Sequence, residues 1–124
     1  MHCQTPEQSR EENITYHLVP EHVWSERGQW AEYVPEAFDA DGFIHCTNGL
    51  EPLVDVANMF YPADDRDYIV LVLNLALVHS EVRYDDPDQK FPHIYGPLST
   101  SAVIGRLTAR RKDDGTFIGF ASRA

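Results

Sequence analysis

Positive charge is scarce in this chain. Ten lysines and arginines face 20 aspartates and glutamates, a formal charge of −10 at neutral pH. Phosphate backbones recruit basic side chains, so bulk nucleic-acid binding is excluded. Cysteine is scarcer still. Cys3 and Cys46 are too few for a disulfide framework, and no CxxC spacing for zinc exists. No apolar run spans a membrane: the longest, residues 68–78, is about half the roughly 20 residues required and carries Asn74. GxSxG, HExxH and glycine-rich phosphate loops are all missing, which removes support for an elbow hydrolase, a zincin, a P-loop or a dinucleotide fingerprint. Residues 1–13 are polar and acidic without the apolar stretch of a secretory signal, so a cytoplasmic address is expected. The sequon at Asn13 is therefore read as chance.

What is present is a globular composition. At 124 residues, 43% of them hydrophobic, the chain suits one domain and would leave two halves without cores. We expect a loose leader over 1–13, a single domain over 14–120 and a tail over 121–124. Ile14, Tyr16 and Leu18 alternate with Thr15, His17 and Val19, which predicts a strand ended by Pro20. A helix is expected over 21–29, with Val23 and Trp24 inward, then a loop over 33–41. A second strand over 42–47 would put Phe43, His45 and Thr47 on one face and Ile44 and Cys46 on the other. Cys46 reads there as a small buried hydrophobe. Asn48-Gly49 marks a turn, with Asn48 a candidate cap. Leu50, Leu53, Val54, Ala57, Phe60 and Tyr61 recur at helical spacing. Residues 68–75 form a nearly continuous apolar run, as in a central strand buried on both faces. Strands are also expected over 81–84, 100–110 and 116–120, the last two joined by a hairpin turn at Asp114-Gly115. The sum is α+β: a curved, mostly antiparallel sheet with two early helices packed on it.

The chemistry-bearing residues are histidines. His17, His45 and His93 each sit inside an apolar, strand-like stretch. Period-two alternation puts Thr15 on the face of His17, Thr47 on that of His45, and Phe91 and Tyr95 on that of His93. If these faces coincide, they make one pocket with three imidazoles, hydroxyls and aromatic walls. Imidazole suits proton transfer near neutral pH and hydrogen bonding to a sugar hydroxyl, and aromatic walls suit a flat ring. A zinc site of three histidines plus water is the sharp alternative. Glu51, Glu81 and Asp85 read as solvated carboxylates, and Arg106, Arg110, Arg111 and Lys112 as a solvated strand end.

Four segments carry a resemblance: Ile14-Thr15-Tyr16-His17-Leu18, Gly42-Phe43-Ile44-His45-Cys46-Thr47, Val56-Ala57-Asn58-Met59-Phe60-Tyr61, and Phe91-Pro92-His93-Ile94-Tyr95-Gly96-Pro97-Leu98. Together, over residues 14–117, they resemble the bacterial domain of unknown function 952. That family has been grouped with the ADP-ribosyltransferase-like superfamily, and the grouping implies a split β-sheet that clasps NAD. It further implies catalytic roles for His17, His45 and His93. His17 would hold a ribose hydroxyl, His45 with Thr47 would lie near the nicotinamide end, and His93 with Tyr95 would stand at the third functional position. Thr47, Phe91 and Tyr95 would contact the cofactor, NAD, and no metal is expected. The RNA 2′-phosphotransferase branch, with its strand-borne histidine, is the nearest in character. Two departures stand out: the third position lacks the usual glutamate, and Leu18 and Val19 follow the first histidine. The expectation is a small-molecule or nucleotide ligand, with ADP-ribosyl or phosphate transfer as the activity. A non-catalytic binding module and a zinc hydrolase are the alternatives.

Overall fold

The computed structural model describes residues 13–122. Most of the expected leader, Cys3 included, and the last two residues of the expected tail lie outside the described residues. The first strand, β1 (Ile14–Pro20), follows the predicted alternation, with Thr15, His17 and Val19 on the buried face. Pro20 closes it at φ −60°, a backbone setting that leads directly into α1 (Glu21–Arg27). The stretch expected as a loop contains β2 (Glu32–Tyr33) and a one-turn helix, α2 (Phe38–Asp41). Gly42, left-handed at φ 79°, then reverses the chain into β3 (Ile44–His45). The strand expected over 42–47 is shorter because Thr47 turns away to exchange both backbone hydrogen bonds with Tyr16 of β1, at 2.9 and 3.0 Å.

The principal helix is α3 (Leu50–Phe60), which buries Leu53 and Ala57. Phe60, expected on its inner stripe, is exposed instead. Nor does Asn48 cap this helix: Gly49 intervenes at φ 110°, and the Asn48 amide donates to the Tyr84 hydroxyl and the Gln89 carbonyl. The remaining strands are β4 (Tyr68–Asn74), β5 (Glu81–Tyr84), β6 (Pro92–Tyr95), β7 (Leu98–Ser99), β8 (Val103–Arg111) and β9 (Phe117–Ser122). β8 starts three residues later than expected, after a 3-10 turn over Thr100–Ala102. β9 runs two residues past the expected domain boundary.

The class is α+β with antiparallel pairing throughout, but the single curved sheet of the sequence reading is three sheets. Their strand orders are β1-β4-β8-β9, β2-β7 and β3-β6-β5. β4 lies between β1 and β8, and its two faces explain its unbroken apolar sequence. Ile69, Leu71 and Leu73 pack with Val19, Tyr33, Ile44, Cys46 and Ile94, and this core joins the sheets. Tyr68 packs with Ala57 and Phe117 beneath α3. No helix among the described residues is long and apolar enough to cross a membrane.

The seam between α3 and β9 is polar. The Asn58 amide donates to the Phe117 carbonyl at 2.9 Å, and its oxygen accepts the Phe117 N–H at 2.7 Å. One side chain therefore satisfies both backbone groups of a buried residue. Asn58→Ala strands that pair, and we expect it to lower unfolding free energy by about 2 kcal/mol. A urea midpoint equal to that of the parent protein would contradict this account of the seam.

Candidate functional site

His17 lies in the core at 5% exposure. Its Nδ1–H donates to the His45 carbonyl at 2.7 Å, since a carbonyl can only accept. That leaves Nε2 to accept from the Tyr33 hydroxyl, 2.9 Å away. Both ring nitrogens are thus engaged within the protein, and the tautomer follows from the partners. Burial drives the His17 pKa down to about 4, against the raising effect of the His45 carbonyl, so the ring is neutral at physiological pH. Burial likewise raises the Tyr33 phenol and the Cys46 thiol, and Cys46 is an inert core residue as the sequence suggested.

His45 and His93 sit together on the other face. They are cross-strand partners in β3 and β6, with ring centroids 5.4 Å apart. His45 is 60% exposed and His93 18%. Each is held by a carboxylate. His45 Nε2–H donates to Asp41 at 2.9 Å, and His93 Nδ1–H donates to Asp85 at 2.8 Å. The same Asp85 oxygen accepts the Tyr95 hydroxyl at 2.6 Å, and Tyr95 and then His93 hold Asp85 below the usual carboxylate range. Phe43 stacks on His93 at 4.0 Å and 18°. Among the described residues, His45 Nδ1 and His93 Nε2 make no further hydrogen bond.

The three imidazoles therefore do not share one pocket. His17 reaches the pair only through the His45 backbone. No group of three or more His, Cys, Asp or Glu side chains among the described residues is placed to hold a metal ion. A cleft of about 160 Å³ does bring some predicted residues together: His17, His45 and Thr47 line it, with Tyr61, Arg66 and Asp41. Phe91, His93 and Tyr95 lie outside that lining. Thr47 is buried, and no described residue takes up its hydroxyl. Arg66 meets a carboxylate through every nitrogen: it grips Asp64 through Nε and a terminal nitrogen and reaches Glu36 at 2.9 Å. Tyr68 adds its hydroxyl to Asp64 at 2.7 Å, and Arg66 is the main reason that carboxyl lies far below its ordinary range.

Sequence reasoning missed Asp41, Tyr33 and Arg66, placed Phe43 on the His45 face without giving it a role, and read Asp85 as a plain solvated carboxylate. The one available signal was the four-residue spacing from Asp41 to His45 across a glycine. Arg111 is also more than a solvated strand end. Its guanidinium donates to the carbonyls of Gly115, Arg66 and Tyr61 and lies 4.2 Å over the Phe117 ring, fixing the loop behind the cleft.

A family described as "Protein of unknown function (DUF952)" matches residues 18–106. The chain belongs to that family. No curated protein matches it. The crystal structure of protein CC0527 from Caulobacter crescentus is similar at a TM-score of 0.71 and 20% identity, covering 85% of this chain and 93% of that one. The solution NMR structure of the same protein gives 0.65 at 20% identity, with 83% and 90% covered. These likenesses show that the α+β fold is shared. Within this DUF952 chain, the matched span holds His45, His93, Asp41, Asp85 and Thr47, and begins one residue after His17.

The buried His17 gives the protein a defined acid response. The unfolded chain binds this proton near pH 6.5 and the folded chain only near 4. Between those values the unfolded state holds more protons, so stability falls as pH falls, by about 3 kcal/mol in total. Denaturant midpoints measured from pH 7 to 4 should decline with that slope, and His17→Gln should flatten it. A parent protein without the slope would contradict a neutral buried imidazole.

Proposed function

We propose that this chain binds NAD or a related nucleotide at the junction of the cleft and the His45–His93 shelf, and that the site performs ADP-ribosyl or phosphate transfer. The observation that carries this reading is the position of His45. Its side chain lines the cleft beside the unpartnered Thr47 hydroxyl and touches the His93 ring on the outer side. The cleft is smaller than the roughly 300–1,000 Å³ typical of pockets for whole drug-sized ligands, so it takes one end of the ligand, with the remainder along Phe43 and His93.

The residues divide the work by their free atoms. Thr47 bonds a ribose hydroxyl. His45, with Nε2–H committed to Asp41, presents Nδ1 as a base, and the carboxylate stabilises the imidazolium that forms. His93, with Nδ1–H on Asp85, presents Nε2 as the complementary group. In ADP-ribosyl transfer the nicotinamide–ribose bond would break and neutral nicotinamide would depart, while the acceptor's oxygen or nitrogen bonds the ribose C1′ and gives its proton to His45. His17 acts through the backbone: it bonds the His45 carbonyl and positions that residue. The exposure of His45 favours one second reading, a module that binds the ligand without turnover, because catalytic imidazoles work best shielded from water.

Calorimetry with NAD and ADP-ribose at near-neutral pH tests the proposal. Saturable binding is expected, weakened roughly tenfold or more in His45→Ala, which removes a charge-backed hydrogen bond. His45 is largely exposed, so His45→Ala should keep the parent's unfolding midpoint, whereas His93 is stacked on Phe43 and mostly covered, so His93→Ala should lower it modestly while still folding. Binding unchanged in His45→Ala and His93→Ala, or no binding of either ligand, would overturn the assignment. NAD consumption by the parent protein separates transfer from binding alone.

A further inference from the structure

We infer that the cleft selects its ligand by charge and takes a small, flat organic cation, such as an amidinium, guanidinium or alkylpyridinium group, over a neutral or anionic group of the same shape. The inference rests on the reading of this cleft as a ligand site and names what enters it.

The lining contains two carboxylates, Glu36 and Asp41, and one guanidinium, Arg66. That guanidinium is already neutralised. Each of its nitrogens meets a carboxylate of Asp64 or Glu36, so its positive charge is already balanced within the protein. Asp41 donates nothing and keeps one oxygen beyond its bond to His45. The aromatic side is equally suited. Tyr61 and Tyr68 meet at 5.4 Å and 32°, and the Tyr61 hydroxyl has no described partner. Burial, then the nearby charges of Asp41 and Asp64, raises the Tyr61 phenol above its ordinary value, so the negative field reaches that ring. A cation between a carboxylate and an aromatic face gains from both, and a neutral isostere gains from neither charge interaction. About 160 Å³ accommodates one such ring.

Benzamidine, benzamide and benzoate form a test series of one shape and three charges. Ligand-detected NMR or calorimetry on the whole chain at neutral pH should show benzamidine binding roughly tenfold tighter than benzamide, with benzoate excluded. Asp41→Asn and Glu36→Gln, both isosteric and exposed, should shrink that ratio. Tyr61→Phe should preserve it and Tyr61→Leu should reduce it. Equal binding of benzamidine and benzamide, preference for benzoate, or no binding of any of the three would overturn the inference. The two readings fail separately. NAD binding that depends on His45 without any preference for benzamidine refutes this inference alone. Benzamidine preference without NAD binding upholds it and refutes the nucleotide proposal.

Discussion

One buried imidazole holds the arrangement together. His17 sits on β1, within the four-stranded sheet, and bonds the backbone of β3 in a separate three-stranded sheet. On its other side it accepts from Tyr33 on β2, which belongs to the two-stranded sheet. A single ring thus links all three sheets, and close by the direct backbone link is the Tyr16–Thr47 bridge. An aliphatic residue would fill the volume but strand the Tyr33 hydroxyl and leave the His45 carbonyl without that donor. The ring is useful here because it offers a donor and an acceptor at fixed angles, and it can do so only while neutral.

The consequence for the site follows from the pleat. β3 puts Ile44 into the core and His45 outward, so the strand that is fastened from below by His17 presents its imidazole above. Carboxylates from the end of α2 and from the loop after β5 then set the orientation of His45 and His93. The cleft beside them is closed on its far side by Arg66, whose bonds to Asp64 and Glu36 tie the loop after α3 to the segment before α2. Exposed ion pairs of this kind contribute little to stability, and their value here is in geometry. The charged groups around the site shape its field and leave the fold to the apolar core.

Much of this was legible in the sequence. The run at 68–74 announced a strand buried on both faces, and alternation placed Ile44 and Cys46 opposite His45 correctly. What alternation cannot supply is which strands pair. β1 joins β4, and β3 joins β6, so His17 and His45 fall on different sheets although each lies on its predicted local face. Asp41 was overlooked and Asp85 read as solvated for a related reason: a carboxylate in a polar stretch looks solvated until the fold brings an imidazole to it. Phe60 misled in the opposite direction, since its spacing on α3 fits the buried stripe of Leu53 and Ala57 but its ring is exposed.

The most direct test of the account is the titration of the individual imidazoles by NMR, read from ring carbon and nitrogen shifts. His17 should stay neutral with its proton on Nδ1 as pH is lowered through 6.5, and begin to charge only near 4. A His17 ring that titrates like a free histidine, or carries its neutral proton on Nε2, would contradict the claim that it fastens the three sheets and positions His45.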